Sequence, residues 1–339
     1  GASAPYANSG SLRTRGWELG ISWNHRFGDV DVFASANIYD GKTKVTEYNN
    51  PNKLINQFYS GMEYGEIWGF ETDRYFEESD FTGKNADGSW IYADGVADQT
   101  GLEQGTFVYG PGDIKFKDLD GNGKIDGGKG TADDHGDLKV IGNSMPRYEY
   151  SFHLGGAWKG IDLDLYFQGV GKRDMWYVNA FTMPFARGAD ATYSHQNSYN
   201  KMIFDDARNI IGYEINQNND YPCMYDGTAN AGAVSGLSQG RYNFYPQSKY
   251  LLNMAYLRLK TVTIGYTLPQ EITKKAMIQK ARIYFTAENP CLLYNGLGKN
   301  PIDPEIGSTW TTGTSYGNGT FGRTDPMMRT YSFGLQVTF

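Results

Sequence analysis

The sequence contains no long apolar run. Nowhere in its 339 residues is there a stretch of about 18 apolar residues, the length that a membrane-spanning helix requires. The hydrophobic fraction of 40%, the charged fraction of 20% and the mean hydropathy of -0.55 exclude a helical membrane protein. They do not exclude a membrane barrel, because strands with alternating apolar and polar side chains average out as polar.

Cysteine and positive charge are also scarce. The two cysteines, Cys223 and Cys291, lie far apart and have no metal-type spacing, so two unpaired thiols are favoured while a disulfide stays open. The net charge of -7 argues against a nucleic-acid partner, for which a basic face is the usual footprint. The N-terminus shows no basic region followed by an apolar core, so we expect no signal peptide and a mature or truncated chain.

Aromatic residues and glycine are abundant. The chain has 26 Tyr, 18 Phe and 43 Gly, which suits many strands and turns and the aromatic girdles of a membrane barrel. It suits a soluble β-protein nearly as well. The length allows one large barrel or two ordinary domains.

The last segment, "RTYSFGLQVTF", has an apolar side chain at every second position. The apolar row is Tyr331, Phe333, Leu335, Val337 and Phe339. Because successive side chains of a strand point to opposite faces, this spacing predicts a strand with one apolar and one polar face. The apolar row would face a protein core in a soluble sandwich and lipid in an outer-membrane barrel, and one strand does not decide between them.

Three further pairs of alternating segments predict hairpins. "GWELGISWNHRF" and "VDVFASANIYD" flank a turn at Gly28 and Asp29, and "RYEYSFHLGGAW" and "IDLDLYFQGV" flank a turn at Lys159 and Gly160. "AYLRLKTVTIGYTL" and "KARIYFTAEN" are joined through Pro269 and the short segment "QEITKKAM", for which a helix is one option.

Much longer stretches lie between these hairpins. They are residues 47–110, about 172–248, and 291–327, and they are rich in Gly, Asn, Asp, Tyr and Pro. Loops of this size either serve a function or indicate that the assignment of secondary structure is wrong. Short turns that alternate with very long loops are typical of outer-membrane barrels, in which the turns face the periplasm and the loops face the exterior.

The segment "DLDGNGKID" matches the first part of a calcium-binding loop, in which oxygen atoms converge on a hard cation and a glycine allows the tight turn. The candidate ligands, with Lys124 through its backbone carbonyl, are Asp118, Asp120, Asn122, Lys124 and Asp126. Position 12 of the loop is Lys129 instead of an acid. The segment is therefore either an Asx-rich turn or a structural Ca²⁺ site that an acid beyond an insertion completes, the candidates being Asp133, Asp134 and Asp137.

Other motifs carry little chemistry. "GNGTFG" matches the dinucleotide fingerprint in its letters, but it follows no buried strand and opens no helix, so a loop is favoured. Aromatic residues in the long loops could stack on sugar rings or grip a peptide, or they could pack the loops against one another. The candidate substrate-binding residues are Trp176, Tyr177, Trp310 and Tyr316. No nucleophile motif, metalloprotease helix or phosphate loop is present, so we predict no enzyme.

Taken together, several segments resemble one known family. "GDIKFKDLDGNGKID", "DLKVIGNSMPRYEYSFHLGGAWKGIDLDLYFQGVGKRD", "YLRLKTVTIGYTLP", "ARIYFTAEN" and "RTYSFGLQVTF" resemble the C-terminal part of SusC/RagA-type TonB-dependent transporters. The resemblance extends from "GWELGISW" to Phe339. In that family the calcium-like loop usually closes with an acid shortly before "IGN", which here would be Asp137.

The resemblance implies an all-β fold, an antiparallel transmembrane β-barrel of about 22 strands with a plug and long extracellular loops. Residues 1–339 would be the C-terminal part of this barrel in the bacterial outer membrane, without the plug domain, the TonB-binding box and the N-terminal barrel strands. Those parts would come from the remaining barrel and plug of the same transporter, or the chain would be one of two pieces. Phe339 resembles the recognition signal of the barrel-insertion machinery, so the row from Tyr331 to Phe339 would close the barrel against the lipid bilayer.

The implied function is import of oligosaccharides or peptides, driven by the TonB complex, with a SusD-like surface lipoprotein acting as a lid. The alternative is a soluble, calcium-stabilised β-sandwich that binds glycans at a cell surface. A surface glycosidase would need two convergent carboxylates in a loop cleft, and the sequence nominates no such pair.

Overall fold

The computed structural model describes residues 10–103, 107–177, 200–204, 206, 210–215, 219–222, 243, 245–298, 302–305 and 327–339. These residues contain seventeen strands, numbered in chain order. Ten short strands lie in the long loops: β3 (Glu66–Phe70), β4 (Thr72–Tyr75), β5 (Phe81–Lys84), β6 (Trp90–Tyr92), β7 (Ile114–Phe116), β8 (Leu138–Asn143), β11 (Asp174–Met175), β12 (Asn200–Phe204), β13 (Ile210–Ile215) and β14 (Leu252–Asn253). The others form one large sheet: β1 (Gly10–Phe27), β2 (Val30–Tyr48), β9 (Arg147–Trp158), β10 (Ile161–Lys172), β15 (Tyr256–Thr267), β16 (Lys280–Asn295) and β17 (Thr330–Thr338).

The large sheet, called the wall below, is an antiparallel meander. Its seven strands lie in the order β1-β2-β9-β10-β15-β16-β17, so every neighbour in the sheet is the next long strand of the chain. The three predicted hairpins and the predicted terminal strand are confirmed. Within the described residues the wall is open, with β1 and β17 at its two edges.

Short connections join the wall strands at one rim. Gly28 and Gly160 have φ angles of 61° and 87°, the left-handed region that a tight hairpin turn needs and that glycine adopts without strain. The connection between β15 and β16 contains a short helix, α1 (Gln270–Thr273), followed by a 3₁₀ turn at Lys274–Ala276. Among the described residues no helix is long and apolar enough to cross a membrane.

The long loops at the opposite rim are folded. Residues 49–103 and 107–146, together with 243 and 245–250, make a unit called the loop assembly below. Its short strands pair as β3 with β8, β4 with β7, and β5 with β6. They enclose an apolar core of Phe70, Phe76, Phe81, Leu102, Phe107, Tyr109, Ile114, Phe116 and Ile125. Aromatic residues of the loop after β2 therefore pack against one another in this core.

Two loops of the chain are tied together in this assembly. The Phe70 amide donates to the carbonyl of Pro246 at 2.8 Å, and the Ser248 amide donates to the carbonyl of Phe70 at 3.1 Å. The Ile114 amide donates to Asn243 Oδ1 at 2.7 Å. The loop after β2 is therefore joined to the described end of the loop after β10, residue 243 and residues 245–250.

Candidate functional site

The wall has two chemically different faces. In an antiparallel sheet, directly paired residues point to the same side. The pairs Phe285 with Phe333 and Ile283 with Leu335 therefore share one side, called the outer face. The same side carries Trp17, Leu19, Ile21, Trp23, Phe152, Leu154, Ile161, Leu163, Ile264 and Tyr266.

The apolar side chains of the outer face are exposed. Tyr331, Phe333, Leu335 and Phe339 expose 59%, 83%, 65% and 80% of their surface, while Val337 is half-buried. Within the described ranges no second sheet covers this row, as a sandwich would require. Soluble proteins rarely expose a continuous apolar surface of this extent. The outer face is therefore built for an apolar medium, and the β-sandwich alternative loses its support.

The apolar band has the height of a membrane. On β1 it extends from Trp17 to Phe27, about 33 Å along the strand at ~3.3 Å per residue. A strand tilted by ~40° covers about 25 Å of membrane thickness over that length, which matches the lipid-facing band of outer-membrane barrels. Phe27, Trp158 and Tyr266 lie at the rim with the short turns, as does Phe339 directly after β17, and an aromatic girdle is expected there.

The opposite, inner face is polar and charged. His153 Nε2 lies 2.8 Å from Asp164 Oδ2, and Arg282 Nε donates to Asp162 Oδ2 at 2.9 Å. Thr263 and Thr286 hydrogen-bond across β15 and β16 at 3.0 Å. Such a face suits contact with water or with polar protein groups inside a barrel lumen.

A segment of the β16–β17 connection docks on this inner side. Arg258 of β15 donates to Asp303 at 2.6 and 2.7 Å and lies 3.0 Å from Glu305, while Lys260 donates to Glu305 at 2.7 Å. Sequence reasoning missed this network, because nothing in the spacing of Asp303 and Glu305 indicates which strand they meet. An Arg and a Lys at alternate positions of one strand are the sequence feature that could have indicated an acidic partner.

The predicted calcium loop lies in the loop assembly and is tightly turned. Asp118 accepts from the amides of Gly121 and Gly123 at 2.7 and 2.8 Å, and both glycines have positive φ. Asn122 accepts from the amide of Lys124 at 2.7 Å. Asp126 accepts from the amide of Gly128 at 2.7 Å, so its carboxylate serves the following turn.

Asp137 is the acid that completes the cluster. Carboxylate oxygens of Asp118, Asp120 and Asp137 lie within 4.8 Å of one another. The other two candidates are engaged elsewhere in ion pairs: Asp133 with Lys53 at 2.9 Å, and Asp134 with Lys129 at 2.8 Å. Of the three acids that the sequence left as alternatives, the structure therefore places Asp137 beside Asp118 and Asp120.

The Asp137 carboxylate is buried and held by the backbone. It accepts from the amides of Leu119 and Asp126 at 2.6 and 2.9 Å. The pKa of Asp137 is raised above its ordinary value. Burial is the largest cause and the neighbouring Asp120 adds to it, while the backbone amide donors act in the opposite direction. Three carboxylates around one point, one of them buried, form an oxygen-rich set that fits a hard cation such as Ca²⁺.

The predicted substrate-binding aromatic residues fall in different places. Tyr177 is buried in a small core with Met175, Met254 and Ile302, and Trp176 beside it is half-buried. Trp310 and Tyr316 lie outside the described residues, as do "GNGTFG" and Cys223. Cys291 is a free, half-buried thiol on β16.

Comparison with known proteins gives relatives over the full chain. The chain is 25% identical over 352 aligned positions to TonB-dependent receptor P26 of Formosa agariphila and 24% identical over 359 positions to TonB-dependent receptor P3 of the same organism. Both alignments cover 100% of the chain and 30% of the relative. The chain thus spans about a third of the length of the curated relatives it matches. No family model matches the sequence.

Solved structures show the same fold. The chain superimposes on the RagAB peptide transporter with a TM-score of 0.57 at 20% identity, covering 98% of the chain and 30% of that structure. The RagAB peptide importer in its open-open state gives a TM-score of 0.53 at 20% identity, covering 97% of the chain and 29% of that structure.

The chain therefore has the fold of the matching segment of RagAB, with its open sheet as wall and its long loops on one side. The resemblance to SusC/RagA-type TonB-dependent transporters is confirmed by these relatives. The outer-membrane location that the resemblance implies is confirmed with it.

Proposed function

We propose that this chain forms part of the wall and the extracellular loops of a barrel that imports nutrient oligomers, either oligosaccharides or peptides. The observation that carries the proposal is the continuous exposed apolar outer face beside a polar inner face. Full-chain similarity to TonB-dependent receptors supports it. The role is transport, without a covalent step by these residues.

The remaining barrel and plug of the same transporter complete the wall in this proposal. An open sheet edge in lipid would leave unpaired backbone groups that cost several kcal/mol each. Both edges, β1 and β17, therefore need neighbouring strands from outside the described residues. The TonB complex would supply the energy through the plug, and a SusD-like lipoprotein would cover the long loops as a lid.

The substrate contacts proposed for this chain lie on the long-loop side. Tyr177 is buried among Met175, Met254 and Ile302, so direct contact is assigned to Trp176, Trp310 and Tyr316. Rigid aromatic rings offer contact area to a sugar or a peptide at low entropic cost. Replacing each of these three by Ala should weaken substrate binding, and unchanged binding in all three would remove them from the site.

Import is tested with the intact transporter in its own outer membrane. Cells that carry or lack it are given labelled oligosaccharides and labelled peptides, with and without an energised TonB complex. We expect one of the two substrate classes to be taken up, and its uptake to require both the transporter and an active TonB complex. If the purified protein stays monodisperse in water without detergent, the barrel proposal is wrong.

We further propose that Asp118, Asp120 and Asp137 bind a structural Ca²⁺ or similar hard cation, with Asn122 and the Lys124 carbonyl as additional oxygen donors. The convergence of the three carboxylates supports this. A chelator should lower the melting temperature of the loop assembly in the wild type and not in a variant with Asp118→Ala and Asp120→Ala. Asp133→Ala is the matched control, because Asp133 pairs with Lys53 instead. A wild-type melt that ignores the chelator would leave only an Asx-rich turn.

A further inference from the structure

The outer face changes from apolar to basic just beyond the apolar band. Going from Trp17 towards the long-loop rim, the next outward positions of β1 are Arg15 and Arg13. Their direct partners on β2 are Lys42 and Lys44. These four side chains are all exposed and are called the basic strip below.

The basic strip lies at headgroup height if Trp17 marks the edge of the hydrocarbon. Arg15 and Arg13 are two and four residues beyond Trp17, about 7 and 13 Å along the strand at ~3.3 Å per residue. With a tilt of ~40° they lie about 5 and 10 Å above the band, on the side opposite the short turns. That side faces the outer leaflet.

Within the described residues the protein neutralises only part of the positive charge in the strip, because Lys42 alone of the four has an acidic partner. Acidic groups around the strip are Asp40, held by Arg147 at 2.6 Å, and Glu63, which pairs with Lys42 at 3.1 Å and with Arg147 at 3.9 Å. Glu47 lies opposite Ser11, two positions beyond Arg13, and accepts from Ser11 Oγ at 3.3 Å. Arg13, Arg15 and Lys44 make no ion pair or side-chain hydrogen bond within the described part of the chain.

Two like-charged pairs directly opposite each other in a sheet are unfavourable. Arg13 faces Lys44 and Arg15 faces Lys42, and such pairs destabilise a sheet unless counter-charge lies between them. The side chains line a groove of about 520 Å³ that also touches Trp17, Arg147 and one acid, Asp40, whose charge Arg147 balances. A groove with this charge at the membrane interface fits an anionic headgroup whose acyl chains continue down the apolar band.

We propose that the basic strip binds the phosphate groups of a phosphorylated outer-leaflet glycolipid, the lipid A part of lipopolysaccharide. Arginine forks match phosphate oxygens in two-point hydrogen bonds, and lysine adds a point charge. The lipid would neutralise the paired cations and fix the height of the barrel in the membrane. The inference rests on the proposed barrel placement, which sets the strip at the outer leaflet.

The test compares lipid binding by the intact transporter, purified in detergent, with that by a variant carrying Arg13→Gln, Arg15→Gln and Lys44→Gln. Lipid A with its phosphates, the same lipid after phosphatase treatment, and inorganic phosphate are titrated separately, with native mass spectrometry as readout. We expect the wild type to bind phosphorylated lipid A at least tenfold more tightly than the treated lipid. We expect the variant to lose that preference.

The matched control removes three charges at the other rim, through Lys274→Gln, Lys275→Gln and Lys280→Gln, all exposed. It should bind lipid A as the wild type does. Equal affinity of the strip variant and the wild type would overturn the proposal, and so would no preference for the phosphorylated lipid. Inorganic phosphate that occupies the strip as tightly as lipid A would also overturn it, in favour of a free-anion site.

Failure of this inference is distinguishable from failure of the proposed function. Heat-modifiable migration in detergent, a property of membrane barrels, is recorded for the same samples. A wild-type protein that migrates as a barrel but ignores lipid A would defeat the lipid site alone. A wild-type protein that needs no detergent would defeat the barrel itself.

Discussion

The wall and the loop assembly use the same residue types in opposite ways. Phe333 on the wall exposes 83% of its surface, whereas Phe76 in the loop assembly exposes 1%. The wall turns its aromatic side chains outward because the medium there is apolar, and the loop assembly turns them inward because water surrounds it. One chain therefore folds against two media. Apolar side chains of the wall face the apolar medium, and those of the loop assembly are buried away from water.

Hydrogen bonding differs between the two regions as well. The wall pairs its backbone in long ladders, such as the one from Gly10 opposite Tyr48 to Phe27 opposite Val30. The strands of the loop assembly are only a few residues long, so side chains satisfy backbone groups that no neighbouring strand reaches. Gln99 is buried and donates to the Ile114 carbonyl at 2.9 Å while accepting from the Phe116 amide at 3.0 Å.

The largest effect on the stability of the loop assembly is expected from Phe76→Ala. Phe76 packs against Phe81, Tyr92 and Tyr109, and removing a buried ring of this kind costs about 3–5 kcal/mol. We expect the loop assembly to unfold at markedly lower temperature and to become sensitive to protease. Ile91→Ala, at an exposed position of the same assembly, is the control and should cost far less. Equal effects of the two changes would show that the aromatic cluster is not the core.

A pair of neighbouring substitutions tests the two faces of the wall. Ile21 points outward near the middle of the apolar band, and Ser22 points inward. Ile21→Arg should destabilise the barrel by about 2–4 kcal/mol, the cost of a cation at the bilayer midplane, while Ser22→Arg should cost less than about 1 kcal/mol. Denaturant titration with the folded barrel followed by gel mobility measures both. A reversed order would mean that the faces are assigned the wrong way round.

A buried amide in the loop assembly should matter more than an exposed one on the wall. Gln99→Leu leaves the Ile114 carbonyl and the Phe116 amide without partners, which costs about 1–3 kcal/mol. Asn24→Leu, on the exposed inner face of β1, should change stability little. Hydrogen exchange of the Phe116 amide gives a direct readout, and unchanged protection in the Gln99 variant would contradict the assignment.

The smallest expected effect is a pH dependence in the loop assembly. Lys117 and Lys139 beside Glu71 hold its pKa at about 2, below its ordinary value of 4.5. Because the folded-state pKa is lowered, the stabilisation is fully present above pH 4.5 and is lost as the pH falls towards 2. Melting curves between pH 6 and about 2 should show this loss in the wild type and less of it in Glu71→Gln. Both lysine side chains expose 45% of their surface, so added salt should reduce the difference.

Much of the wall follows from local pattern. The period of two in the terminal segment and in the three hairpins predicts the strands, their two faces and the pairing within each hairpin, because each depends only on neighbouring residues and short connections. The same alternation continues to Arg15 and Arg13, where charged side chains replace apolar ones. We did not predict this change from an apolar to a basic surface.

Long-range contacts decided the rest. The sequence left three acids open for the cation loop, and the chain path around the insertion brings Asp137 to Asp118. The sequence shows little periodicity in residues 47–110, where the structure has short strands paired across many residues, such as β3 with β8. No local signal places Asp303 on Arg258.

The sequence by itself determined that this protein is made of two-faced strands, since alternation along a strand is a local property. Only the tertiary structure decided what each face meets, because exposure of Phe333 and burial of Phe76 depend on which distant segments come to lie over them.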